Sequence, residues 1–181
     1  MPLATVDDVR HARRVLLHGV TGSGKSTTAL AVGERLGLPV HLWDEEFGWL
    51  PGWTPRPDDE QRLLVAAVAA EPAWVFDTAY SRFRDLLDPD VVIGLDYPRW
   101  LSLGRLVRRT LHRVATREPV CNGNTENLRA ILSRESIIAW HFRSFARKRR
   151  AMRTWAANPD GPPVLLLRHP RELDRLLSSL G

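Results

Sequence analysis

Gly19-Val-Thr-Gly-Ser-Gly-Lys-Ser26 combines closely spaced glycines with one ammonium group and one hydroxyl. The spelling Gly-x-x-x-x-Gly-Lys-Ser suits a loop that holds phosphate. Glycines let backbone N–H groups converge on phosphate oxygens, and a helix starting at Lys25 would add its positive dipole end. The expected ligand is ATP, with Gly19, Thr21, Gly22, Ser23, Gly24, Lys25, Ser26 and Thr27 around its phosphates. Lys25 would bridge the β- and γ-phosphates, and the Ser26 hydroxyl would ligate Mg²⁺. Residue choice supports this independently of the glycines: of 26 basic residues, only Lys25 and Lys148 are lysines. A compact ammonium fits between phosphates where the broad guanidinium fork does not.

Phosphoryl transfer also needs carboxylates. Asp77 closes the apolar run Trp74-Val-Phe76 and would project into the crevice at the strand ends, where α/β ligands bind. It is the expected second protein ligand of Mg²⁺, beside Ser26. Asp96 closes Val91–Leu95 in the same way, its alternative use being to cap the next helix. Asp44 ends the run Val40–Trp43, placed to orient an acceptor hydroxyl or take its proton. Its neighbours Glu45 and Glu46 read as a solvated acidic turn. Arg105, Arg108, Arg109, Arg113 and Arg117 recur at helical spacing. Two or three of them, with Arg109 and Arg113 the catalytic candidates, are expected to meet phosphate, which guanidinium binds bidentately. Arg147-Lys-Arg-Arg150 reads as a generic basic patch. Trp49 and Trp53 would either stack on a ring or pack a proline-rich loop onto the core.

The elements that must position these residues alternate along the chain. Short apolar runs at Arg14–His18, Val40–Trp43, Trp74–Phe76, Val91–Leu95 and Val164–Leu167 predict strands. Helices are expected over Lys25–Leu36, Asp58–Ala70, Arg99 to about Thr116, Glu126 to about Ala157, and Glu172–Leu180. Phe47–Pro57, with its prolines and glycines, reads as an irregular loop, and Glu118–Asn124 as a turn. Strands alternating with helices define an α/β protein with a parallel sheet.

One domain of 181 residues can bury a full core. The longest apolar run, Leu63–Ala70, is far short of the ~20 residues a bilayer span needs. No signal peptide is expected, because charges interrupt the N-terminal stretch. A lone cysteine, Cys121, suits a reducing cytoplasm, and no Cys/His cluster has zinc-site spacing. Charge is unevenly spread: Arg99–Arg153 carries 14 basic and 3 acidic residues, and the rest of the chain 12 and 18. That segment is suited to meeting anions.

The chain resembles the P-loop kinases of the adenylate kinase and shikimate kinase type. Among them it is most similar to the small bacterial proteins called "DNA topology modulation protein" or adenylate kinase-like. The resemblance rests on the glycine loop, Leu42-Trp-Asp44, Leu50-Pro-Gly-Trp53, Trp74–Arg82, Leu95–Trp100 and Asn122-Gly-Asn124. It implies a P-loop NTPase fold, a five-stranded parallel sheet in the order 2-3-1-4-5, and a lid formed by the arginine-rich helices of about 99–157. It also implies that Asp77 is the acid on the metal side. In nucleotide kinases the loop after the last strand lies against adenine, which Arg168 would cover by cation–π stacking; His169 reads as a loop hydrogen-bonder. The chain departs from the subgroup at Asp77-Thr-Ala-Tyr80, where the pattern is Asp-Gly-Asn-Tyr. The implied activity is transfer of phosphate from ATP, with Mg²⁺, to a nucleoside monophosphate or a small hydroxylated metabolite. The alternative is a nucleotide-dependent nucleic-acid binder or regulatory ATPase, which the basic segment would serve through salt-sensitive phosphate contacts.

Overall fold

Alternate residues of a strand point to opposite faces of a sheet, and both faces of this sheet are apolar. In β1 (Arg14–Gly19), Val15 and Leu17 belong to one buried cluster and Leu16 to the other. Near-continuous apolar strands of this kind suit a parallel sheet covered on both sides. A computed structural model describes residues 3–77, 81–126 and 136–181. The departure at Thr78–Tyr80 and most of the expected helix before Ser136 lie outside the described residues.

The remaining strands are β2 (Val40–Leu42), β3 (Trp49–Leu50), β4 (Thr54–Pro55), β5 (Trp74–Asp77), β6 (Val91–Leu95) and β7 (Val164–Leu167). The main sheet has the order β2-β5-β1-β6-β7, and every neighbouring pair is parallel. Counting its five strands alone, this is the expected 2-3-1-4-5. Registration places Leu17 opposite both Asp77 and Ile93, so the ends of the three central strands come together.

The helices are α1 (Val6–His11), α2 (Lys25–Leu36), α3 (Asp58–Ala69), α4 (Arg99–Thr116), α5 (Ile137–Ala157) and α6 (Pro170–Leu180). One core cluster joins Val15, Leu17, Val75 and Ile93 to Val9 of α1, Ala29 and Val32 of α2, and Leu176 and Leu180 of α6. The other joins Leu16, Phe76 and Val92 to Val65 and Val68 of α3, with Trp155 of α5 packed against it. Gly94 lets α5 approach closely: a Cβ there would lie 2.7 Å from the Met152 sulfur.

Several local expectations need correction. The second strand stops at Leu42, because Trp43 turns inward at the head of a π-helical turn, Trp43–Gly48, and packs against Phe47, Phe76 and Phe83. The loop from Phe47 to Pro57 contains that turn's end and the small antiparallel hairpin β3-β4. Helix α6 begins at Pro170, with the His169 side chain accepting from the Arg171 N–H at 3.1 Å. Its missing N–H makes proline well suited to a first helical position. Helix α1 has no counterpart among the expected elements, since only six residues follow its N-cap Thr5, Asp8 lying among them as the capping-box partner.

Asp96 does not cap α4, whose N-cap Pro98 has no side-chain hydrogen bond. Its carboxylate instead accepts from Arg149 Nε at 2.5 Å and from Arg153 Nε and Nη2 at 3.0 and 2.8 Å, tying α5 to the end of β6. The Asp96 side chain is fully buried, whereas both arginines retain solvent contact. Asp96→Ala is therefore expected to cost about 2 kcal/mol, that is, the charged hydrogen bonds without a stranded buried cation. Urea denaturation measures this, and an unchanged midpoint would show that the tie contributes nothing.

Candidate phosphate and acceptor site

The glycine loop runs from the end of β1 into α2. Gly22 and Gly24 have φ of +81° and +93°, conformations that L side chains rarely adopt. A Cβ on Gly22 would also collide with the Ser102 carbonyl oxygen, so α4 packs directly on the loop. Gly24 is the N-cap of α2 and gives its first-turn N–H groups no side-chain acceptor. They are therefore available to an anion. Ser23 is buried, its N–H donating to the Val20 carbonyl at 3.1 Å, and Thr27 is exposed on α2.

Helices α4 and α5 brace this loop from outside. Arg105 Nη1 donates to the Ser23 carbonyl at 3.1 Å, and its guanidinium lies 5.4 Å from the Tyr97 ring centroid. His141 Nδ1 donates to the Thr21 carbonyl at 2.9 Å. Lys148 Nζ donates to Thr21 Oγ1 at 3.4 Å. The arginine-rich segment thus holds the shape of the glycine loop.

Two of the expected residues meet directly: Ser26 Oγ donates to Asp77 Oδ2 at 2.5 Å. Asp77 is 5% exposed. Burial raises its pKa; Lys25, the Ser26 hydroxyl and Lys148 act the other way, while Asp44 adds to the rise. Lys25, Asp44 and Lys148 are thus the charges around this carboxylate. Asp44 itself lies exposed in the π-helical turn.

Arg109 is exposed on α4, yet partial removal from water and then the Arg113 charge lower its pKa, with Glu126, Asp44 and Cys121 its other electrostatic neighbours. Arg113 Nη1 lies 3.5 Å from Glu126 Oε1. Arg108 is exposed, and Arg117 ends α4 in a left-handed conformation, so the five arginines do not act as one group. Arg168 is exposed just after β7 and shares a cleft of about 470 Å³ with Arg153, Ala156, Ala157 and Leu166; its backbone N–H donates to Glu172 Oε2.

The acidic turn is not merely solvated. Glu45 Oε2 accepts from the Cys121 N–H at 2.9 Å, and Glu46 Oε1 from the Leu42 N–H at 2.7 Å. Trp49 and Trp53 form an edge-to-face pair at 5.5 Å. The turn after α4 grips their hairpin: Asn124 Oδ1 accepts from Trp53 N–H at 2.7 Å, its Nδ2 donates to Leu50 O at 3.1 Å, and Asn122 Nδ2 donates to Trp49 O at 2.5 Å. Trp53, Cys121 and Asn122 all have positive φ, so both partners of this grip are strained. Burial pushes the Cys121 thiol up to about 12, which leaves it an inert part of the grip.

Sequence reasoning missed Lys148 and His141 as parts of this site, and it gave Arg105 a phosphate rather than the Ser23 carbonyl and Asn124 no contact with the hairpin. Lys148 belongs to the tract read as a generic basic patch, but it is buried, and burial with the Lys25 charge lowers its pKa to about 7. Its being the only lysine besides Lys25 was the available signal.

No protein-family model matches the chain, and no curated protein is similar to it in sequence. Solved structures are similar in fold. A sugar kinase from Janibacter sp. HTCC2649 is 19% identical, with a TM-score of 0.54 over 92% of this chain and 91% of its own. A gluconokinase from Sinorhizobium meliloti 1021 is 16% identical, with a TM-score of 0.52 over 92% and 88%. A deoxyadenosine kinase from M. mycoides is 13% identical, with a TM-score of 0.53 over 92% and 95%. The chain therefore has the α/β P-loop kinase fold, a five-stranded parallel sheet between layers of helices. Among the described residues no helix is long and apolar enough to cross a membrane.

Proposed function

We propose that the chain is an ATP- and Mg²⁺-dependent phosphotransferase acting on a small acceptor, a nucleoside monophosphate or a small hydroxylated metabolite. The observation that carries this reading is the Ser26–Asp77 contact at the mouth of the glycine loop, with Lys25 and Asp44 acting on the same carboxylate. The likeness of fold to sugar, gluconate and deoxyadenosine kinases is consistent with it.

Among the described residues no group of three or more His, Cys, Asp or Glu side chains could hold a metal ion. One hydroxyl and one carboxylate suit Mg²⁺ in this setting, because Mg²⁺ usually keeps waters and takes its other ligands from the nucleotide's phosphates. Ser26 and Asp77 would hold it, and the bound ion would offset charge on the β- and γ-phosphate oxygens. Lys25 and the loop N–H groups would cradle the triphosphate. Asp44 would orient the acceptor hydroxyl or accept its proton, and Arg109 and Arg113 would face the transferring phosphoryl group. Residues 99–157 would form the lid that excludes water, and Arg168 would cover adenine. Membership of the adenylate kinase-like subgroup belongs to the same proposal.

The test is ADP release from Mg-ATP, alone and with nucleoside monophosphates, shikimate, gluconate and other polyols, using Lys25→Ala as the blank. Stimulation by one acceptor that vanishes in the blank is the expected result. A second reading, a nucleotide-dependent nucleic-acid-binding ATPase, is favoured by the open cleft of about 530 Å³ lined by Arg99, Arg149, Arg150 and Arg153. Exposed Trp100 and Phe142 accompany Arg99 on those helices. Salt-sensitive stimulation by DNA or RNA, with no response to any small acceptor, would establish that reading instead.

A further inference from the structure

His141, Ser144, Lys148 and Met152 recur at three- and four-residue spacing and form the buried stripe of α5. Met152 packs beside Gly94, so the same stripe necessarily turns its polar members toward the glycine loop. An ammonium has three donors. Lys148 as a residue is 8% exposed, and the one hydrogen bond of its ammonium among the described residues is the long contact to Thr21 Oγ1; the Trp140 ring centroid lies 5.6 Å away. Ser23 Oγ, Ser144 Oγ and His141 Nε2 are likewise buried without partners among the described residues.

A buried charge so poorly partnered is costly. The charged groups acting on it are Lys25 and Arg147, which repel, and Asp44 and Asp77, which attract. Asp77 already accepts from Ser26, and Asp44 is exposed. What is missing is an anion between the loop and the two aspartates. The first-turn N–H groups of α2 have no side-chain acceptor, and Lys148 reaches the same loop from α5 at Thr21.

We propose that Lys148 is a second phosphate-binding lysine, donating to the terminal phosphate of a bound nucleoside triphosphate and so distinguishing triphosphate from diphosphate. This rests on the kinase reading. A chain that uses arginine at 24 of 26 basic positions keeps a lysine here because a compact ammonium suits a buried phosphate contact better than a broad guanidinium fork.

Isothermal titration of the full chain with Mg²⁺ and either ADP or the non-transferable β,γ-imido analogue of ATP tests it. Wild type should prefer the imidotriphosphate. Lys148→Met should weaken imidotriphosphate binding about ten- to a hundredfold and ADP binding less than about threefold. Lys148→Gln, which can still donate a hydrogen bond but has no charge, should lose the preference too. Equal losses for both nucleotides, no loss, or a glutamine variant that keeps the preference would each overturn the assignment. A wild-type chain that binds neither nucleotide would remove the kinase reading itself, a distinct failure.

Discussion

Asp77→Asn is expected to lower acceptor-dependent ADP release by about a thousandfold or more, with no fall in the thermal unfolding midpoint. Groups that offset charge on a transferring phosphoryl contribute on the order of a thousandfold or more to its rate. Asparagine is nearly isosteric, and its carbonyl can still accept from Ser26 Oγ, but it brings no negative charge to a metal. Burial raises the Asp77 pKa, so the ionised side chain is a cost to the folded state at neutral pH, and asparagine relieves it. Lost counter-charge beside Lys25 and Lys148 offsets part of that relief. Activity and stability should therefore part company, as they do where a site is kept for chemistry. Activity within tenfold of wild type, measured as ADP release alongside calorimetry, would remove Asp77 from the mechanism.

The second large effect is on stability against pH. Lys148 is displaced from the ordinary 10.5 to about 7 in the folded chain. Between those values the unfolded chain binds a proton that the folded chain does not, so stability rises with pH there; below about 7 both forms are protonated and the cost is complete. From pH 7 to 8.5 the expected gain is on the order of 1–2 kcal/mol. Above that range Cys121 acts in the opposite sense, since its thiol at about 12 stays protonated when folded and ionises when unfolded. Lys148→Met should remove the rise and stabilise the chain at pH 7 by about 4 kcal/mol, or ~10 °C in Tm at 2–4 °C per kcal/mol. Urea titrations at pH 7.0 and 8.5 measure both. A flat wild-type profile, or a methionine variant less stable than wild type at pH 7, would show that the lysine is not held as a buried charge.

Local pattern made much of the framework readable. Runs such as Trp74-Val-Phe76 and Val91–Leu95 could only be buried strands, and Gly22, Gly24 and Lys25 announced the glycine loop and the helix that follows it by residue type alone. Asp77 was expected beside the glycine loop from its position at a strand end, and in the fold its carboxylate accepts from Ser26 Oγ. Periodicity was silent where side chains leave their own element. Asp96 had an apparent local use as a cap, but two arginines more than fifty residues downstream took it. Glu45 looked solvated until the strained turn at Cys121 needed an acceptor for its N–H.

The sequence by itself determined the fold class and the strand–glycine-loop–helix unit. These follow from short-range rules: strand period, helix caps and the backbone freedom of glycine. Only the tertiary structure decided which of the basic residues reach the loop. Arg105 and Lys148 lie in a segment whose charges look alike in one dimension. They separate only when α4 and α5 pack on the loop, because burial then gives each cation a different share of solvent and a different set of opposing charges.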